Sequence, residues 1–232
     1  MLDHLNQLEL LRGVGRHQTD FLMEVKRLKL WQHRRLAYTY QDLAIDRRFG
    51  PATAFFLDEL YGENESALRD RDLIRMYPTM KRLMPKFAFE AVTSALALDV
   101  LSEEFDQALA TRLRGKPITN VSYCQAFRDV GRHADRVRQV GLMQKVGEGL
   151  DAVVSKPLLY ATLKMLRRPS KMAGLGEMQR FLEAGFSAFR HMKGAAPFLH
   201  IIAQRETAFI ETIFAGQMPD LQPDTKTGGG AG

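Results

Sequence analysis

No stretch of this chain alternates apolar and polar residues with period two, while apolar residues recur at three- and four-residue spacing through almost every long segment. That pattern admits helices and leaves nothing from which to build a sheet. Hairpin signals are missing as well, since no Asn-Gly or Asp-Gly pair joins two β-branched runs. Glycine and proline then divide the chain into helices. A short helix is expected over 2–12, ended by Gly13 and Gly15. A long one runs from Thr19 or Asp20 to Arg48 and stops at Gly50-Pro51. Pro51 opens a third, to Tyr61, closed by Gly62. Residues 66–84 read as one or two short helices broken near Pro78 and Pro85. Lys86–Leu113 is long and is closed by Gly115 and Pro117. Thr119 or Asn120 caps a helix to about Gly147, with Tyr123, Phe127, Val130, Ala134, Val137 and Gly141 as one apolar stripe. The last three run from Pro157 to Arg168, Ser170 to about Met192, and Ala195 to Ala215.

The sequence therefore predicts an all-α fold, a single compact multi-helix bundle of about eight helices over residues 1–216. The proline- and glycine-rich segment 217–232 reads as a disordered tail. The short stretch Arg114–Thr119 is the alternative domain boundary.

Composition removes several classes of function. Of the 232 residues, 45% are hydrophobic and 26% charged, which suits a globular core. The lone Cys124 excludes a disulfide framework and multi-cysteine zinc or iron–sulfur sites. Glu90 and Asp99 interrupt the most apolar run, Phe87 to Leu101, so it reads as a core helix and not a membrane span. Without a basic and then apolar leader, a cytoplasmic location is expected. The net charge of +6 favours anionic partners without choosing among them. No phosphate-binding loop, H-E-x-x-H or G-x-S-x-G occurs, and no Glu-x-x-His pair exists for a di-iron site. Gly174-Leu-Gly176 reads as a place where two helices pack closely.

The long second helix carries an anomaly. Met23, Leu30, Ala37 and Ala44 share one line, Trp31, Tyr38 and Ile45 a second, and Arg27, Arg34, Gln41 and Arg48 fall between them. One reading makes Arg34, beside Tyr38, an anion site facing a carboxylate or phosphate. The favoured reading places the arginines in a seam between two docked helices, with their heads in solvent. Asp99 is the natural partner for Arg34, because a carboxylate within Ala95-Leu-Ala-Leu-Asp-Val-Leu101 must find a donor if buried. The regular spacing of Asp99, Glu103 and Asp106 favours a solvated face instead.

Phe55-Phe-Leu-Asp-Glu-Leu-Tyr-Gly62 and Arg69-Asp-Arg-Asp72 are the most distinctive text in the chain. Tyr61, Arg69, Asp70 and Asp72 would form the polar wall of a pocket, or simply tether one helix to the next. With the preceding RLAYTYQDLAIDRRFGPA, this segment resembles a family of uncharacterised, mainly proteobacterial, all-helical proteins. The resemblance spans about Lys29 to Glu206 and includes GLGEMQRFLEAGFSAFRHMKGA. It implies a single helical unit and carries no assigned activity.

Arg128, Arg132 and Arg136 recur at four-residue spacing beside His133 and Arg138. Nucleic acid would suit such a ridge, but Asp129 and Asp135 interleave it, so a solvated ridge is expected. No cofactor is expected on the leading reading; under the alternative of haem or another tetrapyrrole, His191 and His200 are the candidates for the axial ligand. Fourteen phenylalanines and eleven methionines read as a soft packed core, with a lipid- or acyl-binding cavity as the alternative. The leading expectation is a non-catalytic binding or regulatory module with a groove for a protein partner or an anionic amphipathic ligand. A haem-binding sensor or enzyme is the alternative, and a homodimer is compatible with either.

Overall fold

The computed structural model describes residues 1–16, 19–60, 66–165 and 167–221, the side chains of residues 14–16, 19, 60, 66–71, 79, 83, 157, 162 and 169 excepted. Twelve α-helices and one π-helical turn account for most of these residues, and they include no strand. The helices are α1 (Leu2–Arg16), α2 (Thr19–Thr39), α3 (Gln41–Ile45), α4 (Gly50–Phe55), α5 (Ser66–Leu83) and α6 (Lys86–Leu113). They continue as α7 (Asn120–Val130), α8 (His133–Val154), α9 (Pro157–Met165), α10 (Arg167–Met172), α11 (Gly176–Met192) and α12 (Ala196–Phe214). The π-turn, Phe56–Leu60, follows α4 directly. The all-α class holds, and the count exceeds the expected eight because helices that read as continuous are broken at Tyr40, at Gly131-Arg132 and at Gly174.

The first break is at Tyr40, where α2 gives way to α3 without any proline or glycine. The Thr39 hydroxyl donates back to the Arg35 carbonyl, a bond that bends helices. Arg205 then bridges the Thr39 carbonyl and the Asp42 carboxylate, each at 2.7 Å, and so satisfies a carbonyl that the break frees. The second break separates α7 from α8. Gly131 and Arg132 both adopt positive φ, at 67° and 60°, and Arg132 is held there by Asp135 and Glu104 at 2.8 and 2.9 Å. Elsewhere α5 runs unbroken through Pro78, which is exposed. Gly174 forms a turn at φ 75°, and neither it nor Gly176 approaches a neighbouring helix.

Thr119 caps α7 as expected. Its hydroxyl accepts from the Ser122 amide, and the Thr119 amide in turn donates to the Ser122 hydroxyl. Thr119→Ala is expected to cost about 1 kcal/mol in denaturant unfolding.

The helix α6 is the axis of assembly and contacts α1, α2, α7 and α8. Helix α12 closes on α7 and α8, and α11 on α4, α8, α9 and α10. Leu109 and Leu113 share one core cluster with Tyr123, Phe127, Val140 and Ile213, so the loop at 114–119 joins parts of one core. The chain does not leave this core at residue 217. Leu221 is buried in the same cluster, and Met218 Sδ lies 3.5 Å from the Cys124 thiol; residues 222–232 of the expected tail lie outside the described residues.

Gly147 does not end a helix as its position suggested. It lies mid-α8, where any Cβ would collide with Leu199 of α12. Two residues on, a Cβ at Gly149 would sit 2.6 Å from the Ala91 Cβ of α6. These glycines let α8 approach two helices closely. Gly149→Val is expected to lose roughly 1–3 kcal/mol, measured by urea unfolding, because Ala91 has no side chain that can swing away.

Candidate functional site

Helices α2, α6, α7, α8 and α12, with Phe56 of the π-turn, line a cavity of about 80 Å³ that is partly open to solvent and has polar and apolar walls. That volume exceeds what a single water needs, roughly 10–15 Å³. Two arginines, Arg35 and Arg136, project into it, with Asp106, Glu206, Gln32 and Tyr123 around them. Both arginines are buried, at 8% and 5% exposure.

Arg35 is fully engaged at its tip. Its Nη1 and Nη2 donate to the two Glu206 oxygens at 2.7 and 3.2 Å, and Glu206 also accepts from the Tyr40 hydroxyl at 2.7 Å. The guanidinium stacks 4.3 Å from the Phe209 ring centroid. Burial alone would lower its pKa, but the Glu206 charge and hydrogen bonds outweigh burial, so it sits above the ordinary value.

Arg136 is different. Its guanidinium carbon lies 3.6 Å from the ring centroid of Phe105 and 3.8 Å from that of Phe127, so aromatic rings cover its faces. No carboxylate among the described residues forms an ion pair with it. Its Nε and Nη2, both buried, have no hydrogen-bond partner among the described residues, nor does Arg35 Nε. Burial pushes the Arg136 pKa down to about 10, only partly offset by Tyr123 and Asp106. Nε and Nη2 lie along one edge of the guanidinium, the edge whose parallel N–H bonds fit two oxygens of a carboxylate.

Asp106 faces Arg136 from α6. Burial raises its pKa to about 6; Lys29, with Nζ 3.7 Å away, pulls it down, and Glu103 pushes it up. Lys29 is held by Glu103 at 2.9 Å, and Arg12 approaches Glu103 at 3.6 Å. A carboxyl whose folded pKa lies above its unfolded value of about 3.9 is best accommodated when protonated. The stability it contributes is complete below about pH 4 and is lost as pH rises through about 6. Asp106→Asn is therefore expected to stabilise the fold by roughly 1–3 kcal/mol at pH 8 and by little at pH 4, in paired urea titrations.

The expected site residues lie elsewhere. Arg34 is exposed, its Nε 3.4 Å from the Leu30 carbonyl oxygen, and it is Arg35 that points inward. Tyr38 is half-buried and does not line the cavity. The Arg34–Asp99 pair does not form, because Asp99 receives both bonds, each 2.9 Å, from Arg12 Nη2. Glu103 is buried and Asp106 lines the cavity, so Asp99, Glu103 and Asp106 are not one solvated face. Asp72 is buried on α5, where burial raises its pKa, and is no part of the cavity. Tyr61 lies outside the described residues, as do the side chains of Arg69 and Asp70. His191 and His200 are both exposed, and His191 Nε2 donates to the Arg47 carbonyl at 2.8 Å. No cluster of three metal-ligating side chains occurs among the described residues, and no described helix is long and apolar enough to cross a membrane.

The expected solvated ridge at 128–138 is corrected too. In one continuous helix Arg128, Arg132 and Arg136 would share an outer face. The left-handed pair Gly131-Arg132 turns α8 relative to α7, and Arg136 enters the core with Val140, Gly147 and Val154. Ala134 and Val137, members of the expected apolar stripe, are exposed instead.

A family model described as Domain of unknown function (DUF8198) matches residues 12–220. The chain belongs to that family. No curated protein and no solved structure matches it. The DUF8198 region includes every residue lining the cavity, from Gln32 to Ile210, and begins at Arg12, the arginine that ties α1 to Asp99.

Proposed function

We propose that this DUF8198 chain is a non-catalytic binding protein whose interior cavity takes a small anionic ligand on the Nε–Nη2 edge of Arg136. One observation carries the reading: two parallel donors of a buried cation, closed in by aromatic rings, have no acceptor among the described residues. Buried polar groups without partners are rare in folded proteins, and those of an ion are the most costly. The rest of the cavity supports the same reading. Leu36, Leu98, Val140 and Ile210 add apolar lining beside the arginines, suited to an amphipathic molecule with one charged end. The cavity volume of about 80 Å³ suits a small molecule or the charged end of a larger one.

Thermal unfolding with added propionate, butyrate, benzoate or inorganic phosphate, at matched ionic strength, tests the reading. A ligand at ten times its Kd adds about 1.4 kcal/mol, which for a chain of this size raises Tm by roughly 3–6 °C. At least one of these anions is expected to do so in the wild type and none in Arg136→Met. If all four leave the wild-type Tm unchanged at tens of millimolar, the reading is wrong.

A further inference from the structure

We propose that the cavity selects a singly charged carboxylate over phosphate, and that each ligand enters together with one proton taken up by Asp106. This rests on the anion-binding reading above and assigns Asp106 as the residue that determines specificity.

The argument is one of charge and shape. Four ionisable side chains of certain charge type line the cavity: Arg35, Arg136, Asp106 and Glu206. Glu206 is consumed by Arg35 and Tyr40, so its charge is balanced in place. Asp106 is what balances Arg136. Around Asp106 stand Lys29 and Gln32 from α2, Glu103 on its own helix, Arg136 from α8 and Tyr123 from α7, with Arg12 of α1 reaching Glu103. Lys29 and Glu103 neutralise each other at 2.9 Å, so they leave the balance unchanged.

With Asp106 ionised, the lining sums to zero, and any anion that enters leaves an uncompensated charge in a water-poor space. With Asp106 protonated, the lining holds one net positive charge, and a single negative charge restores neutrality. A phosphate dianion overshoots in both states, whereas the monoanion that predominates below about pH 7 matches the charge and is disfavoured by shape alone. Shape reinforces this. Phe105 and Phe127 cover the faces of the Arg136 guanidinium, so a ligand meets only its in-plane edge. A flat carboxylate fits that edge with two oxygens, whereas a tetrahedral phosphate carries further oxygens above and below the plane, toward the rings.

Calorimetric titration of the full chain with butyrate and with inorganic phosphate, in buffers of different ionisation heat between about pH 5 and pH 8, reads the coupling directly. In the wild type, proton uptake should approach one per butyrate above about pH 7 and fall toward zero near pH 5, with Kd weakening about tenfold per pH unit at the upper end. Phosphate should bind at least tenfold more weakly than butyrate at pH 7. Asp106→Asn should bind butyrate without proton uptake and without this pH dependence. Butyrate binding with no proton uptake in the wild type, or phosphate binding as tightly as butyrate, overturns this inference and leaves the anion-binding reading in place. No binding by any anion overturns both. Because the wild-type proton count is itself decisive, the test does not hang on the folding of the variant.

Discussion

Arg136→Met should melt about 2–8 °C above the wild-type chain and bind no carboxylate at any pH. The stability gain follows from the balance at this side chain. Burial holds the Arg136 pKa near 10, well below the ordinary arginine value. A shift of that size corresponds to roughly 3 kcal/mol spent on keeping the group charged. The two aromatic contacts return part of it, about 1 kcal/mol each. Methionine has a similar length, packs well on aromatic rings and carries no charge, so it keeps the packing and removes the cost. A net gain of about 1–2 kcal/mol gives the stated range. Because the folded pKa lies below the unfolded one, the penalty is present at every pH below about 10. The gain should therefore be the same at pH 5 and pH 8, unlike that of Asp106→Asn. A variant less stable than wild type in buffer without added carboxylate would show that Arg136 is an ordinary structural residue.

Glu206→Gln should move stability the other way, by about 3–5 kcal/mol. Glu206 accepts from both Nη atoms of Arg35 and from Tyr40, and these bonds join α12 to α2 and to the break that follows it. Removing its charge leaves Arg35, at 8% exposure, without its counter-ion. A Tm drop of roughly 10 °C or more is expected in a thermal scan. The double variant Arg35→Met, Glu206→Leu should recover most of that loss, since taking away both charges removes the imbalance. A surface pair such as Arg205–Asp42, with Asp42 largely exposed, should matter far less, about 1 kcal/mol or below. If Glu206→Gln falls within 1 kcal/mol of wild type, the Arg35–Glu206 pair does not hold this corner of the cavity.

The two arginines are thus expected to have opposite energetic signs. On the proposed reading, that contrast separates a residue kept for the fold from one kept for a ligand. Proteins commonly carry such local strain at functional sites, where stability is lower than the sequence could provide.

The helices with ordinary boundary chemistry were legible from sequence. Those of α6 and α12 match expectation within a residue or two, and Thr119 caps α7 as its type and position require. The two breaks that shape the site were not. At Tyr40 the cause is Arg205, 165 positions away in the chain, which local pattern cannot reveal. At Gly131-Arg132 the apolar stripe continues across the glycine in sequence, and a continuous helix would put the three arginines on an outer ridge.

A signal for Arg136 was present nonetheless. Starting a new helix after Gly131 places Arg136, Val140, Met143, Gly147, Leu150 and Val154 on one face at three- and four-residue steps, with a single charged residue among them. Arg35 was missed for a similar reason. The line through Met23 and Leu30 faces solvent, and the buried face is Val25, Leu28, Gln32 and Leu36, with Arg35 beside it. The expectation of an arginine set into an apolar arc of the second helix was off by one residue, and its partner was Glu206 on the last helix.

The most direct measurement is the side-chain Nε–H resonance of Arg136, identified in a ¹H–¹⁵N spectrum by its loss in Arg136→Met, followed through a butyrate titration. Formation of a charge-assisted bond to a carboxylate should move this proton downfield and saturate at the Kd found by calorimetry. A resonance that stays in place while butyrate binds to the protein would contradict the assignment of the Arg136 edge as the anion site.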